Sequence, residues 1–410
     1  MSDDLPPQNG DTDKSAGDTT PVNSDSYIPD NYLLKLRDIV SEEFVVKYAY
    51  IDAYDNLPIF VIQEDPLIKE RSSRLTKKLE SHNLLAVIRQ VELFEGTGDR
   101  STVIKLVPAP PTRRARSYTM NIILFVATLG TVLFAGWFFA TSAPFVFIYI
   151  NIFGVPYNPY IVMVQYTIAI LAIIGLHEFG HYVTSRLHRV DASLPYFIPG
   201  FYYGTFGALI VQRTPPPNRD SLFDLGVSGP VVGFVVAVVV LVFGLWLSPI
   251  LSPSELAQLT AFLQTINEPV GTLPTPILFD LIWSVMTIGI PAGYTAYIHP
   301  VAFAGWVGFL ITSLNYFPIG QLDGGHVSRS LVGGKYHRIV SFIGIFLLFI
   351  FGYWFMAMIA FFLFAGRHPG PVDDVSPVST WRKILGPISY LMVILLLPPL
   401  TIPFLFFPIP

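Results

Sequence analysis

The chain contains no cysteine. Disulfides and thiolate-based zinc sites are therefore excluded, and any metal must be held by imidazole and carboxylate groups. Charge is scarce as well. Asp, Glu, Lys and Arg make up 13% of the 410 residues, against 52% hydrophobic ones; a soluble globular chain carries about 25% charge. That balance excludes a wholly soluble protein and points to a polytopic α-helical membrane protein with some soluble sequence attached. The net charge is only −4, which argues against a nucleic-acid partner. No secretory signal is visible either, because the first apolar run begins only after Arg116.

Three stretches follow from composition. Residues 1–26 are rich in Asp, Ser, Thr, Pro and Gly and read as a disordered acidic tail. Residues 27–112 read as a small soluble α+β domain. Leu33, Leu36 and Val40 have helical spacing within Asp30–Phe44. Val45–Gln63 reads as two strands about an Asp55-Asn56 turn, Pro66–Asn83 as a charged helix, and Leu84–Leu93 with Thr102–Val107 as a strand pair about Gly96–Arg100. Nothing in this domain resembles a catalytic constellation, so it is expected to regulate or to position substrate. Residues 113–410, opening on the basic Arg113-Arg114-Ala115-Arg116, form the transmembrane part.

A helical span needs about 20 apolar residues. Six runs qualify: Asn121–Thr141, Tyr160–Leu187, Leu225–Leu247, Val301–Tyr316, Ile339–Phe364 and Ile384–Phe406. The fourth is short and is extended by Phe317–Leu322. Pro276–Ile290 is apolar too, but it carries Asp280 among prolines, and a crossing there would reverse every later segment. It is expected to be re-entrant or to lie on the surface. Arg186, Arg189, Arg213 and Arg219 follow the second span, and Arg329, Lys335 and Arg338 follow the fourth. By the excess of Lys and Arg in cytoplasmic loops, both termini and the ends of the second and fourth spans face the cytoplasm. Gly366–Asp374, with His368, then falls outside, and His299 and Asp280 fall on the far side from the second span's end.

The second span places ionisable groups where they are costly. In "GLHEFGHYV" (Gly175–Val183), His177 and His181 are four residues apart, about 40° around a helix axis and one turn above each other. Two imidazoles so placed suit one Zn²⁺ at about 2.0–2.1 Å from each nitrogen. Glu178 lies on the adjoining strip, as a general base acting on metal-bound water requires. His188 is about 10 Å further along the helix, too far to share the ion.

A third ligand is missing, and "NYFPIGQLDGGH" (Asn315–His326) supplies one. Asp323 ends the fourth run near the depth at which His181 ends its own, and Gly324-Gly325 permits close backbone approach. Standing alone, Asp323 would read equally well as a turn residue at a membrane edge. His326 either bonds to the ligand set or faces the headgroups. Asn315 either holds a substrate backbone or oxyanion, or satisfies carbonyls freed by Pro318. Two further segments bear on the site. Pro195–Pro217 reads either as a hairpin dipping into the membrane, whose edge pairs with an unwound substrate, or as a loop lying on the headgroups. Gly229 and Gly233, four apart in the third span, suit close helix packing.

The paired motifs His177-Glu178-Phe179-Gly180-His181 and Asn315-x-x-Pro318-x-x-x-Leu322-Asp323-Gly324 resemble those of the site-2 protease family of intramembrane zinc metalloproteases, over roughly Tyr118–Val332. Tyr316 stands where that family's motif usually has its first proline. The resemblance implies zinc held by His177, His181 and Asp323, with Glu178 activating water. It also implies hydrolysis of a peptide bond within or near the transmembrane helix of membrane-anchored regulatory proteins, so the expected partners are a transmembrane substrate and membrane lipid. The stretch His188–Leu222 is too short for a PDZ insertion, and the long amino-terminal domain is similar to the chloroplast and archaeal-type members. The alternative is a membrane metal transporter or metal sensor built on the same His/His/Asp site. Glu178 separates the two, because a carrier needs no non-ligating carboxylate beside its histidines.

Overall fold

A computed structural model describes residues 30–92, 100–110, 117–268, 273–364 and 368–399. The acidic tail 1–26, most of the Gly96–Arg100 turn and the basic stretch 113–116 lie outside the described residues.

The amino-terminal part runs α1 (Asp30–Ser41), β1 (Val46–Ile51), β2 (Pro58–Ile62), α2 (Ile68–Glu80), β3 (Leu84–Glu92) and β4 (Arg100–Pro108). The strands form an antiparallel sheet in the order β1-β2-β4-β3. Asn56 turns β1 into β2 with φ 55°, a conformation that asparagine tolerates better than most residues. Leu36 and Val40 of α1 and Leu75 and Leu79 of α2 bury themselves against Phe60, Ile88 and Ile104 on one face of the sheet.

The apolar part runs α3 (Thr119–Ala140), α4 (Ala143–Phe147), α5 (Pro159–Leu187), β5 (Tyr196–Pro199), β6 (Thr205–Leu209), α6 (Arg219–Trp246), β7 (Ile250–Leu251), α7 (Pro253–Thr265), α8 (Ile277–Met286), β8 (Thr295–Ala296), α9 (Pro300–Asn315), α10 (Asp323–Ile350), α11 (Trp354–Phe364), α12 (Thr380–Ser389) and α13 (Leu391–Leu396). Among the described residues, α3, α5, α6 and α10 are long and apolar enough to cross a membrane. The shorter α9 is the innermost helix. Phe303, Trp306, Val307 and Phe309 leave almost no surface exposed, as expected of a helix apolar all round. Glycines let it nest against α6. A Cβ at Gly244 would stand 2.1 Å from the Ala302 nitrogen, and one at Gly305 would stand 2.7 Å from the Leu241 backbone.

Several segments depart from the span-by-span expectation, among them the expected sixth span Ile384–Phe406, which as far as Leu396 is two short helices, α12 and α13, rather than one rod. Phe317–Leu322 does not extend α9; the helix stops at Asn315, the chain turns, and α10 begins on Asp323. Gly333, with φ 75° and ψ 173°, then kinks α10. The run Ile339–Phe364 is not one rod. Gly352, at φ 85°, turns the end of α10 back along α11, so that Ile345 and Leu348 pack with Ala357 and Ala360. The His337 and His368 rings, one at each end of this excursion, lie 5.4 Å apart. The chain has returned to the end it left, and 368–374 lies beside the amino-terminal domain rather than opposite it. The Ile88 amide donates to the Val372 carbonyl (3.0 Å), and Arg329 grips Asp374 (2.7 and 2.9 Å). An apolar run reads the same whether it crosses or doubles back; the glycine turn decides which.

The 250–296 excursion also closes on itself, because β7 pairs with β8. Within it, α8 rises only about 15 Å, at 1.5 Å per residue. β5 and β6 form an antiparallel pair with Tyr196 opposite Leu209 and Ile198 opposite Gly207. Its tip reaches down the helices. The Gly204 carbonyl accepts from Thr131 Oγ1 (2.6 Å) and the Tyr203 carbonyl from Tyr166 (3.0 Å), with Thr131 about 18 Å along α3 from its first residue.

Candidate metal centre and active site

α5 and α6 run antiparallel, and each contributes residues four apart. The imidazoles of His177 and His181 on α5 face Gly233 and Gly229 on α6. A Cβ at Gly229 would stand 2.1 Å from His181 Nε2, and one at Gly233 would stand 2.7 Å from His177 Nδ1. These glycines do more than let helices approach: they leave the space that the two rings occupy. Gly226, further along the same strip, lies against α10, where a Cβ would meet the Asp323 carbonyl at 2.6 Å. Small residues along one face of α6 thus admit both halves of the cluster. The i, i+4 spacing of Gly229 and Gly233, matching that of the histidines, was the available sequence signal for this role.

His177 Nε2 lies 3.2 Å from Asp323 Oδ2, His181 Nε2 lies 3.3 Å from Asp323 Oδ1, and the two Nε2 atoms are 3.2 Å apart. Each of the three residues offers one ligand atom, all within 4.8 Å of one another. Donors about 2.0–2.1 Å from a tetrahedral ion stand about 3.3–3.4 Å apart, so the donor set fits zinc in both chemistry and spacing. His181 Nδ1 donates to the Leu225 carbonyl at 2.9 Å. That bond selects the tautomer whose Nε2 lone pair faces the cluster, the usual way a ligating histidine is oriented.

Glu178 is 4% exposed. It lines a small cavity with His177, Ile174, Ala208, Ile311 and Asn315. Ala208 belongs to β6, so the hairpin forms one wall, and Asn315, the last residue of α9, forms another. A carboxyl group among isoleucines is costly to keep unless it is used. All five residues singled out in the sequence therefore meet: His177, His181 and Asp323 as a cluster, with Glu178 and Asn315 in the adjoining cavity. His188 bonds to Asp224 (2.9 Å) instead, and His299 caps the first turn of α9 at its opposite end. His326 Nδ1 lies 2.8 Å from His368 Nε2, which gives His368 a place that its expected position outside the membrane did not.

Residues 165–359 match the model of Peptidase family M50. Over this segment the chain is similar to the site-2 protease family. It is 31% identical over 237 residues to the probable zinc metalloprotease EGY1, chloroplastic, of Arabidopsis thaliana, covering 56% of this chain and 42% of that protein. It is 32% identical over 240 residues to the EGY1 protein of Oryza sativa subsp. japonica (56% and 40%). It is 31% identical over 218 residues to the probable zinc metalloprotease EGY2, chloroplastic, of Oryza sativa subsp. indica (51% and 37%). The chain thus spans less than half the length of these curated relatives. No solved structure matches. The family match, the zinc metalloprotease relatives and the donor set agree on zinc as the metal.

Proposed function

We propose that this chain is an intramembrane zinc metalloendopeptidase that hydrolyses a peptide bond within or near the transmembrane helix of membrane-anchored proteins. The observation that carries this reading is the convergence of His177, His181 and Asp323 within 4.8 Å beside a cavity that holds a fourth, non-ligating carboxyl group, Glu178.

His177, His181 and Asp323 hold the ion. When bound, zinc supplies a Lewis acid that makes water nucleophilic near neutral pH. Glu178 accepts a proton from the attacking water and passes it to the leaving amine. Its position one residue from His177, facing the cavity, suits both transfers. Asn315 donates its amide to the carbonyl oxygen of the bond under attack or holds the neighbouring backbone. The isoleucines of the cavity wall keep bulk water out, so these few polar contacts act in a low dielectric.

A helical substrate must unwind before its backbone is open to attack. The β5–β6 hairpin reaches about mid-depth along α3, and its edge offers backbone groups to an extended substrate segment. In this reading α3, α5, α6 and α9 cross the bilayer. The cluster and the amino-terminal domain lie toward the cytoplasm, because Arg186, Arg189, Arg213 and Arg219 gather at that end. The amino-terminal domain, packed at the same end, positions or regulates substrate.

The test is Glu178→Gln. This variant retains zinc and loses cleavage of a model transmembrane helix in reconstituted vesicles by roughly 10²–10⁴-fold, the usual contribution of a general base. Undiminished cleavage would refute the mechanism. A metal transporter would show the reverse pattern, with zinc flux that the variant leaves intact.

A further inference from the structure

One helix, α5, carries both histidines, but Asp323 is the first residue of α10, directly after the turn 316–322, and such a turn is held only by what packs on it. The turn 316–322 closes on itself: a Cβ at Gly324 would stand 2.0 Å from the Tyr316 carbonyl, and one at Gly325 would stand 2.3 Å from the Gly320 carbonyl. From outside, the junction of α12 and α13 grips both sides of that closure. Tyr390 donates its hydroxyl to the Gly324 carbonyl, one residue from the ligand. Tyr316 donates to Ser389 Oγ at 2.6 Å, which in turn donates to the Gly386 carbonyl at 2.6 Å. The two tyrosine rings pack 5.2 Å apart. Tyr316 is fully buried among Phe223, Val227, Val327 and Leu331. α12 is itself tied to α6, because Arg382 binds Asp224 (2.6 and 2.8 Å), next to the Leu225 whose carbonyl orients His181.

We propose that Tyr390 and Tyr316 form a clamp through which the α12–α13 junction positions Asp323 as a metal ligand. The proposal rests on the zinc reading above. Both tyrosines are positioning residues. Tyr390 lies beyond the segment that matches the family model, which ends at residue 359. Tyr316 occupies the motif position where proline is usual, so a side-chain clamp here takes over the stiffening that a proline ring gives.

A metal ligand has a tolerance of about 0.2 Å, and outer partners of ligands typically change metal affinity 10–100-fold. Tyr390 acts through the backbone of the neighbouring residue, so the lower figure applies. The experiment measures zinc affinity of the purified full chain by competition with a chromophoric chelator. Wild type is compared with Tyr390→Phe, Tyr316→Phe and the double variant. Tyr353→Phe serves as control, because its ring packs in one cluster with Phe317 and Ile319 of the same turn while its hydroxyl bonds to the Pro398 carbonyl rather than to the turn. Tyr390→Phe is expected to weaken zinc about tenfold, and Tyr316→Phe by a similar factor. The double variant is expected to fall short of the product of the singles, since both act on one loop. The metal-free proteins should melt alike, and Tyr353→Phe should bind as wild type does. Wild-type affinity in Tyr390→Phe overturns the clamp, as does an equal loss in Tyr353→Phe. A wild-type chain that takes up no zinc overturns the metal reading itself, and the clamp with it.

Discussion

Adding one methyl group on α6 should empty the metal site without touching a ligand. In Gly229→Ala the new Cβ stands 2.1, 2.4 and 2.6 Å from Nε2, Cδ2 and Cε1 of His181. Ordinary contacts between such atoms are about 3.5 Å, so the ring must retreat by more than about 1 Å, several times the roughly 0.2 Å that a metal ligand tolerates. Retreat also breaks the bond that orients the ring, because His181 Nδ1 is bonded at 2.9 Å to the Leu225 carbonyl on α6 itself. His181 therefore swings out of the cluster. The site keeps two protein ligands, and zinc affinity falls at least about 100-fold, the upper end of what disturbing a mere outer partner costs. The helix itself gains, since alanine is better than glycine in a helix interior by about 1 kcal/mol. Global unfolding is therefore the less natural outcome, and far-UV circular dichroism should be unchanged. Gly233→Ala, with its Cβ 2.7 Å from His177 Nδ1, should act in the same direction more weakly. The assay is zinc content by mass spectrometry after equilibration at buffered free zinc. Stoichiometric, wild-type-like zinc in Gly229→Ala would refute the packing argument.

Two further outcomes are expected. Because the chain has no cysteine, single-cysteine labelling reports topology cleanly: Pro369→Cys and His82→Cys should react with an impermeant maleimide from the same side of sealed vesicles, and labelling from opposite sides would contradict the turn at Gly352. In the amino-terminal domain, Lys78 and Arg74 hold the Glu43 carboxyl below its ordinary range near 4.5. A depressed carboxylate pKa stabilises the fold above that range and loses its effect as pH falls through the folded value. Amide protection factors in α1 and α2, with the intrinsic pH dependence of exchange divided out, should therefore fall below about pH 4.5 in wild type. Glu43→Gln should be less protected at neutral pH and lose less protection on acidification; a parallel protection profile in the variant would count against the pairing.

The candidate site was legible in sequence to the extent that it is local. His177, Glu178 and His181 share one helix, and a helix converts spacing directly into direction. Asp323 needed a further premise, that two spans end at one depth, and its residue type and flanking glycines supplied the rest. The glycines opposite the histidines were noticed as packing residues, but not as the space for the rings, because clearance depends on which faces of α5 and α6 meet. The hairpin at 196–209 left two readings open, since strand alternation says nothing about what lies beside the strands.

Composition and periodicity alone determined that this chain belongs in a membrane, that its amino-terminal part alternates helix and strand pairs, and that two imidazoles and a carboxylate would sit together on one helix surface. Those properties follow from backbone geometry over a few residues. Tertiary structure decided that 339–364 doubles back at Gly352, that His368 meets His326, and that Tyr316 and Tyr390 close on the loop of Asp323. Each of these is a contact between segments far apart in the chain, and hydrophobicity, which has no direction, cannot select among the partners that would bury the same residues.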